Sequence, residues 1–135
     1  MSQVSLVPTN SVDQFWPHLR EGFQRSVMKT GGDLTTGDLW VACRSGSAFL
    51  LIAHEGDEIR GASIWRPDTW QSGKKLRCLA LYGSGMKDWI HDMREMAARI
   101  AKDCGATSLV SEGRLGWQKV FPKARVLRAL YEEAL

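Results

Sequence analysis

The sequence is short of the residues that staple, anchor or metallate a chain. It has three cysteines, Cys43, Cys78 and Cys104, an odd number with no C-x-x-C pair among them. That excludes a disulfide framework and argues against a structural zinc site. Each cysteine sits in an apolar segment, so all three read as reduced core residues of an intracellular protein. The opening MSQVSLVPTNSVDQF has no basic stretch followed by an apolar run, so no signal peptide is expected. The longest apolar run, Ala48 to Ala53, is the length of a strand, and no membrane span is expected. There is no G-x-S-x-G elbow and no H-x-x-x-H spacing; His18, His54 and His91 belong to different elements. Neither a Ser-His-Asp site nor a metal is expected. Repeats, low-complexity tracts and linkers are missing too, so residues 1–135 read as one domain.

What is present is ordinary for a globular chain: 44% hydrophobic and 24% charged residues. The 18 Lys and Arg are interspersed with 15 Asp and Glu, for a net charge of +3. A balance so spread suits a small anionic ligand as well as a polyanion, and nucleic-acid binding is not favoured. The six tryptophans, at 16, 40, 65, 70, 89 and 117, do not interleave with basic residues as a base-stacking groove requires. They read as packing residues, except that Trp70 in the polar stretch 67–74 is a candidate contact anchor.

Along the chain, Val4–Val7 is β-prone and stopped by Pro8. Ser11 and Gln14 form an S-x-x-Q capping-box pattern. Val12, Phe15, Trp16, Leu19, Phe23 and Val27 then mark one helical face. Pro17 is expected in the first turn of that helix, and Gly31-Gly32 ends it. Thr35 to Asp38 opens a second, short helix that Gly46 stops, although Leu39 to Cys43 also reads as a strand. Three strands are predicted at Ser47–His54, Ile59–Arg66 (ended by Pro67) and Lys75–Tyr82. The last of these sets Leu76, Cys78, Ala80 and Tyr82 on one face. After Gly83-Ser84-Gly85-Met86 the period changes to that of a helix over Lys87–Cys104, capped by Gly105. Thr107–Glu112 is a final strand, and residues 123–135 fit a helix by spacing, or a strand if tertiary pairing overrides propensity. The fold class is α/β, with a mixed sheet and the order β-α-α-β-β-β-α-β, a short α and a tail. Its one parallel βαβ crossover comes late.

That order, with LRCLALYG (76–83), GSGMKDW (83–89), SLVSEGR (108–114) and GWQKVFP (116–122), resembles the GNAT family of acetyl-CoA-dependent N-acetyltransferases. More narrowly, EGRLGWQKVFP (112–122), Trp89 after the glycine loop and the compact length resemble small GNAT-like proteins encoded among the head and tail genes of bacteriophages. The resemblance implies acetyl-CoA as cofactor. Its pyrophosphate would lie on Gly83, Ser84, Gly85, Met86 and Lys87, and its arm along Leu79 and Leu81, with backbone N–H groups of 79–82 polarising the carbonyl. The acceptor would be an unidentified amine of a small molecule or protein. Two departures stand out. Ala80 takes the place of the family's Gln or Arg, and no Tyr occurs over Gly116–Pro122. The alternative is a GNAT-fold interaction module without catalysis, whose partners would be phage structural proteins and whose location would be the virion.

An anion site at 83–87 also has a physical basis: a helix start offers unpaired N–H groups and a positive dipole end, and glycines let a phosphate approach. The rival reading is an ordinary strand-to-helix turn. Glu112, at the end of the strand after the crossover, is the candidate base; otherwise it is a solvated carboxylate or a partner of Arg114. Tyr82 is the candidate acid, or else a core ring. Arg114, in G-R-x-G-W, is a candidate phosphate ligand, or else part of a lock on the late helix.

Overall fold

The computed structural model describes residues 2–113 and 116–135. Five strands form one sheet in sequence order: β1 Gln3–Val7, β2 Phe49–Glu55, β3 Glu58–Trp70, β4 Gly73–Gly83 and β5 Ser108–Ser111. The first four pair antiparallel, and β4 pairs parallel with β5 across the long helix α3 (Ile90–Asp103). Helices α1 (Val12–Lys29) and α2 (Thr36–Ser45) cover the opposite face from α3, and a one-turn α4 (Trp117–Val120) follows β5.

Strand alternation splits the core into two layers. Leu50 and Ile52 of β2 join Ala62 and Ile64 of β3 under Leu19, Phe23 and Val27 of α1. Leu51, Ala53 and Trp65 point the other way, against Met93, Ala97 and Ile100 of α3. Both faces of β2 and β3 are therefore buried, which is why they read as near-continuous apolar runs. Inside the α3 layer, the Trp65 indole N–H donates to Ser63 Oγ at 2.7 Å, and Ser63 lies 3.1 Å from Met93 Sδ. At the sheet edge, Ser5 Oγ and His54 Nε2 are 2.8 Å apart, and His54 Nδ1 is 3.0 Å from the Gly56 carbonyl. A carbonyl only accepts, so the neutral ring carries its proton on Nδ1 and Ser5 donates to Nε2, latching β1 to β2.

Local signals explain most boundaries. Thr35 and Asp38 form a reciprocal capping box, and Gly46 closes α2 in the left-handed region at φ 83°. Several expectations need correcting. The Ser11 side chain caps nothing, because residues 9–11 form a 3₁₀ turn that leads straight into α1. Pro17 lies inside α1, not in its first turn. It is on the exposed face, where water can serve the carbonyl that its missing N–H leaves free. Residues 86–88 form a 3₁₀ turn, and α3 begins only at Ile90.

Pro67 does not end its strand. β3 runs on to Trp70 and turns back through a two-residue loop, pairing Pro67 with Leu76 and Trp70 with Gly73. β2 stops pairing at Trp65, so Pro67 lies where β3 has a free edge and no ladder bond is lost. Nor does β4 keep one alternation. A bulge places Trp65 opposite Cys78 and Ile64 opposite Ala80, leaving Leu79 as the extra residue. Leu76 and Cys78 therefore face α3, whereas Ala80 and Tyr82 face α1. Residues 123–135 form neither helix nor strand.

Candidate functional site

The sheet opens between β4 and β5. They pair over Lys75–Cys78 and Ser108–Ser111, while β4 continues from Leu79 to Gly83 with no strand paired to it on that side among the described residues. The parting begins at the bulge. Residues 79–83 thus present extended backbone toward a split, the place where a chain-like ligand with amides of its own can add as a further strand.

In this structure part of that edge is already satisfied from α1. Ser26 Oγ donates to the Leu81 carbonyl at 2.9 Å and accepts from the Leu81 N–H at 3.2 Å. One hydroxyl therefore serves both polar groups of the residue in mid-split. Sequence reading missed Ser26 because a Ser near a helix end carries no signal of what it faces across 55 residues of chain.

Tyr82 lies on the same side of the sheet. Its ring packs edge-on to Phe23, with centroids 5.1 Å apart. A Cβ on Gly22 would stand 2.3 Å from the ring, so glycine is what lets α1 lie this close to β4. Burial raises the Tyr82 pKa and so keeps the phenol protonated at neutral pH, although the nearby positive charge of Arg25 works the other way. The candidate acid is in its donor form, but its ring serves the core.

Glu112 is not a free base. It accepts a 2.7 Å hydrogen bond from Arg77 Nη2. Arg77 Nη1 lies 4.0 Å from Asp68, whose other oxygen is 3.2 Å from Arg66 Nε. The four side chains form an ionic ladder over β3, β4 and the end of β5. The expected partner, Arg114, lies outside the described residues. Arg77 pairs directly with Val110 in the parallel register, which brings its guanidinium to Glu112.

The loop at 83–87 reads differently from each side. From below it is filled: the buried Trp89 donates its indole N–H to the Ser84 carbonyl at 2.9 Å. A Cβ on Gly83 would fall 2.5 Å from that indole and 2.8 Å from the Arg60 carbonyl; one on Gly61 would fall 2.6 Å from the indole. Gly83 is glycine for its own tryptophan. From above the loop is open, with Gly85 left-handed at φ 61° and Gly83, Ser84, Gly85 and Lys87 exposed. The Asp88 N–H is spent on Gly85 and the Trp89 N–H on Met86. The first intrahelical bond of α3 runs from Met93 to Trp89, so Ile90, His91 and Asp92 keep their amides toward the loop. Exposed Asp88 sits beside Lys87 and offsets its charge.

Trp117 locks the late helix. A Cβ on Gly113 would lie 2.8 Å from its ring, it stacks on Phe121 at 5.8 Å, and Phe121 meets His91 of α3 edge-on. Burial pushes the Cys78 and Cys43 thiols up to about 12, so neither is a nucleophile at neutral pH. Among the described residues no three His, Cys, Asp or Glu side chains converge as a metal site. Two cavities, of about 360 and 300 Å³, flank β1: one against α3 at Met96 and Arg99, the other against Phe15 and Ile59. Neither touches β4 or the loop.

A resident acetyl-CoA would therefore find a frame that suits its arm better than its phosphates. Extended backbone at Leu79–Gly83 matches the amides of a pantetheine once Ser26 turns aside. The loop offers a pyrophosphate the α3 amides and Lys87, countered by Asp88.

No protein-family model matches the sequence, and no curated protein matches it. Solved structures do match its fold. A protein of Clostridium acetobutylicum described as a predicted acetyltransferase and solved with acetyl-CoA superposes with a TM-score of 0.70 at 11% identity, over 98% of this chain and 96% of that one. A ribosomal-protein-alanine N-acetyltransferase of Brucella melitensis gives 0.66 at 12% identity, over 100% and 98%. A GNAT-family acetyltransferase of Staphylococcus aureus gives 0.63 at 11%, over 99% and 98%. The five-stranded mixed sheet with one parallel pair is the GNAT acyl-CoA N-acyltransferase fold. No described helix is long and apolar enough to cross a membrane.

Proposed function

We propose that this chain, having the GNAT fold, moves an acetyl group from acetyl-CoA to an amine in the split between β4 and β5. The observation that carries the reading is the free stretch of β4 from Leu79 to Gly83, which starts at a bulge and runs into an open loop before α3. Leu79 and Leu81 would hold the cofactor's arm by backbone hydrogen bonds. The upper side of Gly83–Lys87, with the α3 amides, would take the phosphates. The cofactor supplies an activated thioester carbonyl. The chain's own part is to align that carbonyl, donate backbone N–H groups to its oxygen and exclude water.

Proton handling is where this chain departs from its fold. The Glu112 carboxylate is taken up by its 2.7 Å contact with Arg77 and is not presented to an incoming amine. The acceptor amine would then enter neutral from solution, so the rate should rise with pH until the amine itself is deprotonated. The Tyr82 phenol stays protonated but is turned into the α1 layer.

A second reading is favoured by one observation, the double hydrogen bond of Ser26 to Leu81. It closes the edge that the cofactor would use. On that reading the fold is an interaction module, with virion or tail proteins as the expected partners. One experiment separates the two: purified protein is incubated with acetyl-CoA and a panel of primary amines, and free thiol and acetylated amine are quantified. Amine-dependent release of CoA supports the transferase. No release, together with co-sedimentation with assembled particles, supports the module.

A further inference from the structure

We infer that Ser5 and His54 form a nucleophile–base pair at the outer edge of the sheet, able to cleave uncharged carboxylic esters whose apolar acyl group fills the cavity between β1 and Phe15. The site is lined by no residue of β4 or of the 83–87 loop, and its chemistry uses no cofactor. It therefore stands or falls independently of acetyl transfer in the split.

The two residues are 49 apart in the sequence, and no motif joins them. The strand register does. Ser5 pairs with Ile52 and Gln3 with His54, so Ser5 and His54 are diagonal neighbours on one face of the β1–β2 pair. Ser5 Oγ lies 2.8 Å from His54 Nε2, and the His54 Nδ1–H donates to the Gly56 carbonyl at 3.0 Å. A hydroxyl that donates to one imidazole nitrogen, while an acceptor fixes the other, is the arrangement that activates a serine as a nucleophile. The Gly56 carbonyl takes the orienting part that a carboxylate plays in a triad. Both side chains are only half-buried, so a ligand can reach them.

A hydrogen bond that only latched two strands would need no space beside it. Here both residues line the cavity of about 300 Å³. Leu6, Val7, Pro8, Phe15, Ile52 and Ile59 give it an apolar wall that suits an acyl chain, and its volume, at the small end for ligand sites, suits a short one. Among the lining residues Asp57 is the other titratable group. Its negative charge disfavours an anionic substrate and favours the imidazolium that forms during the reaction. Ser5 and Leu6 are successive residues of an edge strand, so one of their two N–H groups points off the sheet, where it can donate to the oxygen of the attacked carbonyl.

The reaction is a two-step hydrolysis. Ser5 Oγ bonds to the ester carbonyl carbon as its proton passes to His54 Nε2. The tetrahedral intermediate collapses, the bond to the alcohol oxygen breaks, and that oxygen takes the proton from His54. The acyl group is now an ester of Ser5. Water then attacks the same carbon, giving a proton to His54, and the bond to Ser5 Oγ breaks as His54 returns that proton to the serine. One ester and one water become one acid and one alcohol, and both residues are restored.

The test uses the full chain with two probes, p-nitrophenyl butyrate and an alkyl fluorophosphonate. The expected results are nitrophenol release above the buffer rate and a covalent phosphonyl adduct that peptide mass spectrometry places on Ser5. Ser5→Ala and His54→Gln should each lower nitrophenol release by about 100-fold or more, with circular dichroism showing that the fold is kept. Neither substitution touches the split, so acetyl-CoA titrations should be the same as for the parent chain. The adduct is read on the unsubstituted protein and does not depend on how the variants fold. No adduct at millimolar probe, an adduct on another residue, or ester hydrolysis that persists in Ser5→Ala would overturn the inference.

Discussion

Replacing Ser26 by Ala tests the split directly, because one hydroxyl makes two bonds whose loss has opposite effects on stability and on binding. In the unliganded chain Ser26 satisfies the Leu81 N–H and C=O at 3.2 and 2.9 Å. Each neutral hydrogen bond is worth about 0.5–1.5 kcal/mol net, so the variant should lose about 1–3 kcal/mol of stability. For a domain of this length, that lowers the melting temperature by roughly 4–15 °C. A cofactor arm that bonds to Leu81 must first displace Ser26, and that cost disappears in the variant. Affinity for acetyl-CoA should then rise by roughly 5- to 100-fold, the same free energy read as a dissociation constant. Differential scanning fluorimetry gives the first quantity and isothermal titration calorimetry the second. A variant that is less stable yet binds acetyl-CoA no better would refute the argument that the Leu81 edge is the arm's site.

Further expectations concern the rest of the split and its supports. Glu112→Gln should change acetyl-transfer rates by less than about threefold, measured by thiol release, since Arg77 already holds that carboxylate; a loss of about 100-fold or more would make it the base after all. Gly83→Ala puts a methyl within 2.5 Å of the Trp89 indole at a positive φ and should cost about 1–3 kcal/mol in urea unfolding, whereas full stability would mean Trp89 is not packed under the loop. The raised Tyr82 pKa means that the unfolded chain releases this proton at lower pH than the folded one. The associated stability is intact below pH ~10 and falls as pH rises beyond it, and Tyr82→Phe should flatten that fall in pH-dependent unfolding curves. Cys43 and Cys78 should resist alkylation at pH ~8 in the folded protein and react on unfolding; fast labelling of the native state would contradict their burial.

The sequence carries the architecture well where one residue type has one physical use. The helical stripe of α1, the helix start at Thr35–Asp38 and the glycine after α2 place elements where they are found, and the switch from strand to helix period after Gly83 finds the long helix, three residues early. The misreadings share a cause, which is that a neighbour in space decides what a residue does. Pro67 reads as a terminator until β2 is seen to stop two residues earlier. The alternation of Leu76 to Tyr82 reads as one face because a bulge leaves no mark in composition. The spacing of residues 126–134 reads as a helix, or as a strand under tertiary pairing, and the segment forms neither.

The site is less legible than the fold for the same reason. Gly83 and Gly85 look alike in a phosphate-loop pattern, yet one makes room for Trp89 and the other makes a turn. Glu112 is assigned to the split by its place after the crossover, but its partner Arg77 lies 35 residues earlier. Ser26 is missed altogether.

The most direct test is an amide-resolved NMR titration of the labelled protein with acetyl-CoA. The account predicts saturable shifts confined to Leu79, Leu81, the 83–87 loop and the amides of Ile90, His91 and Asp92, with the Ser26 resonances moving alongside. No shifts at millimolar ligand, or shifts confined to the cavities beside β1, would contradict it.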